Sequence, residues 1–202
     1  MKPLEMLLQN AARSQKKIVL SEGDDPRAVQ ATIDARKQGI ARVVLIGPEA
    51  AIRARFDDLG AMPDEGVEIH DPATSPLIDE LAEAFHQRRK HKGVTPGQAL
   101  EAARSPHVFA ALLVHAGHAD GTVGGAVATT AELVRTAIPV IGPAPGASLV
   151  SSFFLMLFCQ THHMKKGAHI FADSGLVVDP NAEEMARIAL ASARSYTVLT
   201  GD

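Results

Sequence analysis

The sequence predicts an α/β fold with a largely parallel β-sheet that carries helices on both faces. Short strands rich in valine and isoleucine alternate with stretches of helical periodicity along the N-terminal part of the chain. Several of the helical stretches begin at a capping side chain followed by proline. Hydrophobic residues make up 46% and charged residues 21% of the 202 residues, a composition that is typical of a packed globular protein and excludes a disordered chain.

The first elements follow one another in a regular order. Turn residues such as Gly39 and Gly47-Pro48 separate the helical stretches from the strands. The predicted helices cover residues 5–14, 26–38 and 49–59, and the predicted strands cover residues 17–20, 41–46 and 67–69.

Five helix starts are predicted from a capping residue placed before a proline. They are Asp25-Pro26, Ser75-Pro76, Thr95-Pro96, Ser105-Pro106 and Asp179-Pro180. Thr95 and Gln98 also have the spacing of a capping box. The last helix carries small and apolar residues on one face, which predicts that this face is buried against a sheet. That face comprises Ala182, Met185, Ala186, Ala189, Ala193 and Tyr196.

Residues 141–146 hold two prolines and two glycines, which interrupt any regular element. The sequence therefore predicts a first α/β domain at residues 1–143 and the start of a second α/β domain at residues 144–202. Ser148, Ser151 and Ser152 follow this stretch and are interpreted as hydroxyls within an apolar strand.

The tract from Asp120 to Thr130 carries the main functional signal. It joins a turn, a short apolar strand, the pair Gly124-Gly125 and the start of a helix, and Arg135 lies one turn into that helix. Backbone N–H groups bind anions where a glycine-rich turn enters a helix, and a guanidinium adds bidentate contacts to a phosphoryl oxygen. This pattern is typical of a site for a phosphorylated substrate, and plain turn chemistry is the alternative.

A second basic segment ends an earlier helix. Arg88, Arg89, Lys90, His91 and Lys92 follow one another directly and are closed by a C-cap glycine at position 93. Cationic side chains in a last turn are also typical of a solvated, well-capped helix end. Two arginine-bearing segments at helix ends together favour one shared anion pocket.

Two further polar groups are interpreted structurally. The acidic loop of Glu22, Asp24 and Asp25 could bind a cation, but the favoured interpretation is that Asp25 caps a helix and Glu22 is solvated. Asp173-Ser174-Gly175 is interpreted as a turn in which the aspartate bonds the local backbone, because no histidine base is paired with it.

Several features point to the cytoplasm and to small-molecule partners. Cys159 is the only cysteine, so no intrachain disulfide forms. Cys159, His162 and His163 do not have the spacing of a metal site. A net charge of -3 and 4% aromatic residues predict no binding of nucleic acid. We expect no membrane association, because the N-terminus has no signal-peptide pattern and no apolar run reaches the length of a membrane span.

Five segments resemble the phosphate acetyltransferase family, part of the phosphate acetyl/butyryl transferases. They occur in the family's order and spacing over essentially the whole chain, which is therefore similar to the N-terminal portion of such an enzyme. The segments are Ser21-Glu22-Gly23-Asp24-Asp25-Pro26-Arg27, Arg89-Lys90-His91-Lys92-Gly93, residues 120–130, Pro145-Gly146-Ala147-Ser148-Leu149 with its Ser-Ser-Phe-Phe run, and Phe171-Ala172-Asp173-Ser174-Gly175.

The resemblance implies a two-domain phosphotransacetylase or isopropylmalate dehydrogenase-like architecture and a reversible transfer of an acetyl group between acetyl phosphate and coenzyme A. It implies coenzyme A, acetyl phosphate and phosphate as the small-molecule partners, no metal or prosthetic group, and a homo-oligomer when full length. Arg89 and Arg135 match family arginines implicated in substrate binding and catalysis, and Thr129 and Thr130 match its substrate-binding tract. Ala128 departs from the family pattern, in which many relatives carry histidine.

The family continues with a Lys-Gly-Ser-Ala motif, a serine–arginine pair and a catalytic aspartate, none of which occurs in these 202 residues. We therefore expect a fragment with an incomplete second domain, and we expect no acetyl transfer from these residues alone. Three alternatives stay open: a phosphate butyryltransferase, the phosphotransacetylase-like domain of malic enzymes, and an inert coenzyme A-binding or oligomerisation module.

Overall fold

The computed structural model describes residues 3–158 and 160–201. The helices are α1 (Pro3–Ser14), α2 (Pro26–Lys37), α3 (Glu49–Asp58), α4 (Ile78–Arg89), α5 (Pro96–Ala103), α6 (Pro106–His115), α7 (Thr130–Val140) and α8 (Ala182–Thr200), and a 3-10 turn spans Lys90–Lys92. The strands are β1 (Lys17–Leu20), β2 (Arg42–Ile46), β3 (Val67–His70), β4 (Gly121–Val123), β5 (Phe153–Phe158) and β6 (Gly167–Ala172).

The first four strands form one parallel sheet in the order β3-β2-β1-β4. Ile18 of β1 is in register with Val43 of β2 on one side and with Gly121 of β4 on the other. The chain therefore adds β2 and β3 in one direction from β1 and later returns to add β4 in the opposite direction. This arrangement confirms the predicted α/β fold and its parallel sheet.

Helices cover both faces of this sheet because successive residues of each strand point to opposite sides. On one face Val44 and Ile46 belong to a buried cluster with Phe109 of α6. On the other face Val43 and Leu45 belong to a second cluster, which also holds Ile52 and Phe56 of α3. Each large side chain that is fully buried contributes about 1.5–3 kcal/mol of transfer free energy.

Contacts between Cα atoms divide the chain into two compact units. One unit is Ala12–Gly142 and holds the parallel sheet, while the other holds the residues from Pro143 onward together with those before Ala12. In the second unit β5 and β6 pair antiparallel, so the largely parallel arrangement is confined to the first sheet. The predicted domains at residues 1–143 and 144–202 stay a prediction.

Three of the five predicted helix starts are N-caps, and two are not. Asp25, Thr95 and Ser105 precede α2, α5 and α6, and Thr95 forms the predicted capping box with Gln98.

The other two predicted starts lie before their helices. Ser75 precedes a turn in which its hydroxyl accepts a bond from the N–H of Leu77, and α4 begins at Ile78. Asp179 was the wrong residue because Asn181 forms a capping box with Glu184 and starts α8.

The predicted buried face of α8 is wrong. Its buried residues are Ile188, Ser192 and Thr200, whereas Met185 is 60% exposed and the four alanines of the predicted face are also exposed. The Tyr196 hydroxyl donates to the Ala168 carbonyl of β6. This bond holds the helix with Ile188 and Ser192 facing that strand. Ser148, Ser151 and Ser152 also lie outside the predicted strand, because β5 begins at Phe153.

Candidate functional site

The candidate site lies where β1 and β4 end. Ligands of open parallel sheets bind beyond the carboxyl ends of the strands, at the point where the strand order changes direction. Here that point is between β1 and β4, since β2 lies on the other side of β1. The two loops that leave these strands are residues 21–25 and 124–129, and both belong to segments singled out from the sequence.

The glycine-rich loop after β4 forms a concave row of backbone donors. The N–H groups of Gly125, Ala126, Val127 and Ala128 all donate to the carboxylate of Glu22, at 2.7, 2.6, 2.8 and 2.6 Å. Gly125 has a φ of 104°, a conformation that glycine adopts without steric strain. The tract thus forms an anion-binding nest, and its occupant is a carboxylate of the same unit. The predicted site for a phosphorylated substrate stays a prediction.

Glu22 is therefore not the solvated loop residue that the sequence favoured. Burial raises the pKa of the Glu22 carboxyl, but the four backbone donors outweigh burial and hold its pKa below the ordinary value. Asp25 does cap α2, and its carboxylate also pairs with Arg27 at 2.8 Å. The Arg27 side chain reaches further and donates to the carbonyl of Ala126 in the glycine-rich loop.

Thr129 and Thr130 stand at the start of α7. Thr129 is the N-cap, and both its backbone N–H and its hydroxyl bond the carboxylate of Glu132, at 2.7 and 2.8 Å. Its polar groups are therefore largely occupied by the capping box. The side chain of Thr130 makes no hydrogen bond within residues 3–158 and 160–201.

Arg135 projects from the exposed side of α7, while its neighbours Val134 and Thr136 face a cavity. Arg89 is half-buried at the end of α4. Neither guanidinium has a hydrogen bond or an ion pair with any residue that the structure describes. Both guanidiniums are therefore available to an anionic ligand, which they can contact bidentately.

Arg88 has a different role from Arg89. Its guanidinium donates from Nε to the carbonyl of Pro139 at 2.9 Å and from Nη2 to the carbonyl of Ile141 at 3.0 Å. It therefore caps the end of α7, where carbonyl groups lack intrahelical partners. The same contact brings the end of α4, which carries Arg89, beside the helix that carries Arg135.

The sequence did not reveal a small cavity beside the nest. Its volume is about 160 Å³, and its lining residues are Ser21, His107, Ala111, Thr122, Gly124, Leu133, Val134, Thr136 and Ala137. Ser21 is buried, and its Oγ lies 2.9 Å from Nδ1 of His107. The fold joins residues that are 86 positions apart, so no local pattern could have indicated this pair.

Asp173 lies in the other unit and behaves as predicted. Its carboxylate accepts bonds from the N–H groups of Gly175 and Leu176, both at 2.8 Å, and from the hydroxyl of Ser152 at 2.5 Å. Burial raises its pKa, but these donors outweigh burial and hold it well below the ordinary range. The interpretation as a backbone-bonded turn is confirmed.

Other predictions concern a metal and the membrane. Within residues 3–158 and 160–201 no group of three or more histidine, cysteine, aspartate or glutamate side chains is placed to hold a metal ion. Cys159 lies outside the described residues. In the described part of the chain, no helix combines the length and the hydropathy that a membrane span requires.

Comparison with known proteins gives one consistent result. The family model described as "Phosphate acetyl/butaryl transferase" matches residues 3–202. A phosphate acetyltransferase of Paracoccus denitrificans is 45% identical over 196 residues, which are 96% of this chain and 57% of the relative. A phosphate acetyltransferase of Acetivibrio thermocellus is 37% identical and is matched over 98% of this chain and 59% of its own.

Solved structures agree with the sequence relatives. The EutD phosphotransacetylase from Staphylococcus aureus has a TM-score of 0.84 at 31% identity, over 97% of this chain and 58% of its own. A phosphotransacetylase from Streptococcus pyogenes has a TM-score of 0.87 at 31% identity, over 98% and 58%. The chain thus spans somewhat more than half the length of the relatives it matches.

Proposed function

The chain belongs to the phosphate acetyl/butyryl transferase family, and we propose that the protein reversibly transfers an acetyl group between acetyl phosphate and coenzyme A. The observation that carries this proposal is the pair of unpaired arginines, Arg89 and Arg135, on two helices that Arg88 joins. The coenzyme A thiol attacks the acetyl carbonyl, a C–S bond forms, and the C–O bond to phosphate breaks. The thiol proton passes to a base, and the departing phosphate carries negative charge.

Arg89 and Arg135 are proposed to contact that phosphate or a phosphate of coenzyme A. A guanidinium matches phosphoryl oxygens bidentately, and its charge stabilises a leaving group that becomes more negative in the transition state. Thr130 is proposed as an additional substrate contact. Thr129 remains a proposed contact, although its hydroxyl is engaged with Glu132. No residue among 1–202 is proposed as the base.

Transfer is tested in the natural protein that carries residues 1–202, as phosphate release from acetyl phosphate that depends on coenzyme A. Arg135→Ala should lower kcat/KM by the equivalent of about 2–4 kcal/mol, the usual loss when a preorganised charge-stabilising donor is removed. The control is Arg53→Ala, because Arg53 is exposed on α3 and pairs with Glu49. Turnover by Arg135→Ala within a factor of about three of the control would refute the assignment.

Arg89→Lys keeps the charge and removes the planar fork. We expect it to be markedly impaired, since an ammonium cannot hold phosphate bidentately. Equal activity of Arg89→Lys and the unaltered protein would show that Arg89 acts only as part of a basic surface.

The acyl preference is tested by comparing kcat/KM for acetyl phosphate and butyryl phosphate. A preference for butyryl phosphate would favour the phosphate butyryltransferase alternative. Coenzyme A binding in calorimetry without any transfer would instead favour a binding or oligomerisation module. Fusion to a malic enzyme domain in the natural protein would favour the phosphotransacetylase-like domain of malic enzymes.

The remaining proposals concern the setting of the enzyme. We propose the cytoplasm, supported by a single cysteine in the sequence, and partners limited to the small-molecule substrates, supported by the net charge of -3. A homo-oligomer is proposed from the family resemblance. Light scattering of the natural protein tests this last point, and a monomer would refute it.

A further inference from the structure

The nest formed by residues 125–128, beyond the ends of β1 and β4, has no role in the proposed reaction. Four consecutive N–H groups converge on one carboxylate, all within 2.8 Å. The carboxylate belongs to Glu22, which comes directly after the buried Ser21 at the end of β1. The donors come directly before α7, which carries Arg135.

A row of N–H groups at the start of a helix attracts anions, because the donors converge and the helix dipole adds positive potential. In this unit the position lies beyond the carboxyl ends of the strands, where the strand order reverses. A phosphate would therefore be expected in this nest. Glu22 satisfies the same donors without any ligand, and Arg27 holds the loop from its other side through the carbonyl of Ala126.

Displacing Glu22 is unfavourable for two reasons. The four bonds are made by an ionised acceptor, and such bonds are about twice as strong as neutral ones. The carboxylate is also tethered at the end of β1, so its effective concentration at the nest far exceeds that of a free ligand.

We propose that Glu22 is a positioning residue that fills the nest permanently, fixes residues 124–128 and thereby sets the direction in which α7 presents Thr130 and Arg135 to the substrate. The phosphoryl group consequently binds to arginine side chains and not to the backbone nest. The second part of this inference rests on the proposed transferase function. The occupation of the nest by Glu22 does not rest on it.

The first experiment needs no catalytic activity. The ¹⁵N-labelled natural protein is titrated with inorganic phosphate at constant ionic strength, and the amide signals of residues 125–128 are followed. We expect no shift in the unaltered chain and a saturable shift of these four signals in Glu22→Ala, because the emptied nest then accepts phosphate. If Glu22 stabilised the loop without filling the nest, Glu22→Ala would not create a phosphate-binding site.

Asp24→Asn is the matched control, since Asp24 is an exposed carboxylate in the same loop whose side chain bonds none of the described residues. It should behave as the unaltered chain does. Saturable shifts of the four amides in the unaltered chain would overturn the inference, because they would show that phosphate displaces Glu22.

A pH titration covers the case in which Glu22→Ala fails to fold. The four amides should shift together as Glu22 is protonated, with a midpoint below its ordinary pKa. Among the described residues, Arg27 interacts electrostatically with Glu22, and Asp25, which pairs with Arg27, has its own pKa lowered to about 2. In Glu22→Gln this common transition should be absent. Independent movement of the four amides in the unaltered chain would contradict the inference.

The second experiment tests the consequence for catalysis. In the natural protein Glu22→Gln should raise KM for acetyl phosphate and lower kcat/KM about tenfold, because Arg135 is no longer held in place, while Asp24→Asn should change neither. Normal kinetics in Glu22→Gln would refute the positioning role. If the amide experiments succeed but no variant shows any transfer, the proposed function fails and the occupied nest stands.

Discussion

Replacement of Arg88 should destabilise the protein, although the sequence indicated only that this residue belongs to a basic run, interpreted as part of an anion pocket or as a solvated helix end. The guanidinium is half-buried, and its two bonds to Pro139 and Ile141 satisfy carbonyl groups at the end of α7. Hydrogen bonds from a charged donor contribute about 1.5–3 kcal/mol each, and partial exposure reduces that value. We therefore expect Arg88→Ala to lower the free energy of unfolding by about 2–4 kcal/mol.

Urea unfolding, followed by the NMR signals of residues 12–142, measures this effect. With an m-value of about 1–3 kcal/mol per molar, the midpoint should fall by roughly 1 M or more. Arg88→Lys keeps one charge but loses the planar fork, so it should lie between Arg88→Ala and the unaltered chain.

Arg89→Ala is the matched control, because it removes the neighbouring guanidinium, which bonds no described residue. Its free energy of unfolding should stay within about 0.5 kcal/mol of that of the unaltered chain. Equal destabilisation by Arg88→Ala and Arg89→Ala would show that the basic run acts through charge alone and that the two bonds of Arg88 contribute nothing.

Three further outcomes are expected. Gly124→Ala should lower the melting temperature, because a Cβ there would lie 2.5 Å from the Oγ of Ser21, whereas Gly97→Ala meets no atom within 4 Å and should be neutral or stabilise α5 by up to about 1 kcal/mol. Asp25 has a folded-state pKa of about 2, below its ordinary 3.8. Its contribution to stability is therefore present above pH 3.8 and is lost as the pH falls toward 2. In Asp25→Asn the free energy of unfolding should depend less on pH between 3.8 and 2, as measured by acid unfolding. Thr95→Ala should cost about 1 kcal/mol by removing the capping box of α5, as measured by urea unfolding.

The sequence predicts local structure well where one short segment determines it. The strand at residues 17–20 could be predicted from its own apolar, β-branched residues, and the N-caps Asp25 and Thr95 from the residues next to them; the structure confirms all three. The face of α8 was wrong because several faces of that helix are rich in small residues, and the strand it packs against decides which one is buried.

The candidate site was predicted only in part. The glycine-rich tract, the following helix and the position of Arg135 could be predicted because they are adjacent in the chain. Glu22 could not be placed in the nest, since its partners lie more than 100 residues away and only the pairing of β1 with β4 brings them together. The bonds from Arg88 to the end of α7 could not be predicted for the same reason, because its acceptors lie 51 and 53 residues further along the chain.

The antiparallel pair of β5 and β6 shows that stability is distributed unevenly along the chain. Phe154 and Phe171 lie opposite each other in this pair and are 61% and 57% exposed, whereas Val44 and Leu45 of the parallel sheet are buried. A two-stranded pair with one uncovered face is marginal by itself, so its backbone bonds open at a lower free energy than those of the four-stranded sheet. In a protein of residues 1–202 alone, amide protons of β5 and β6 should therefore exchange with solvent long before those of β1 and β2, and protease cleavage should begin in the unit that holds them.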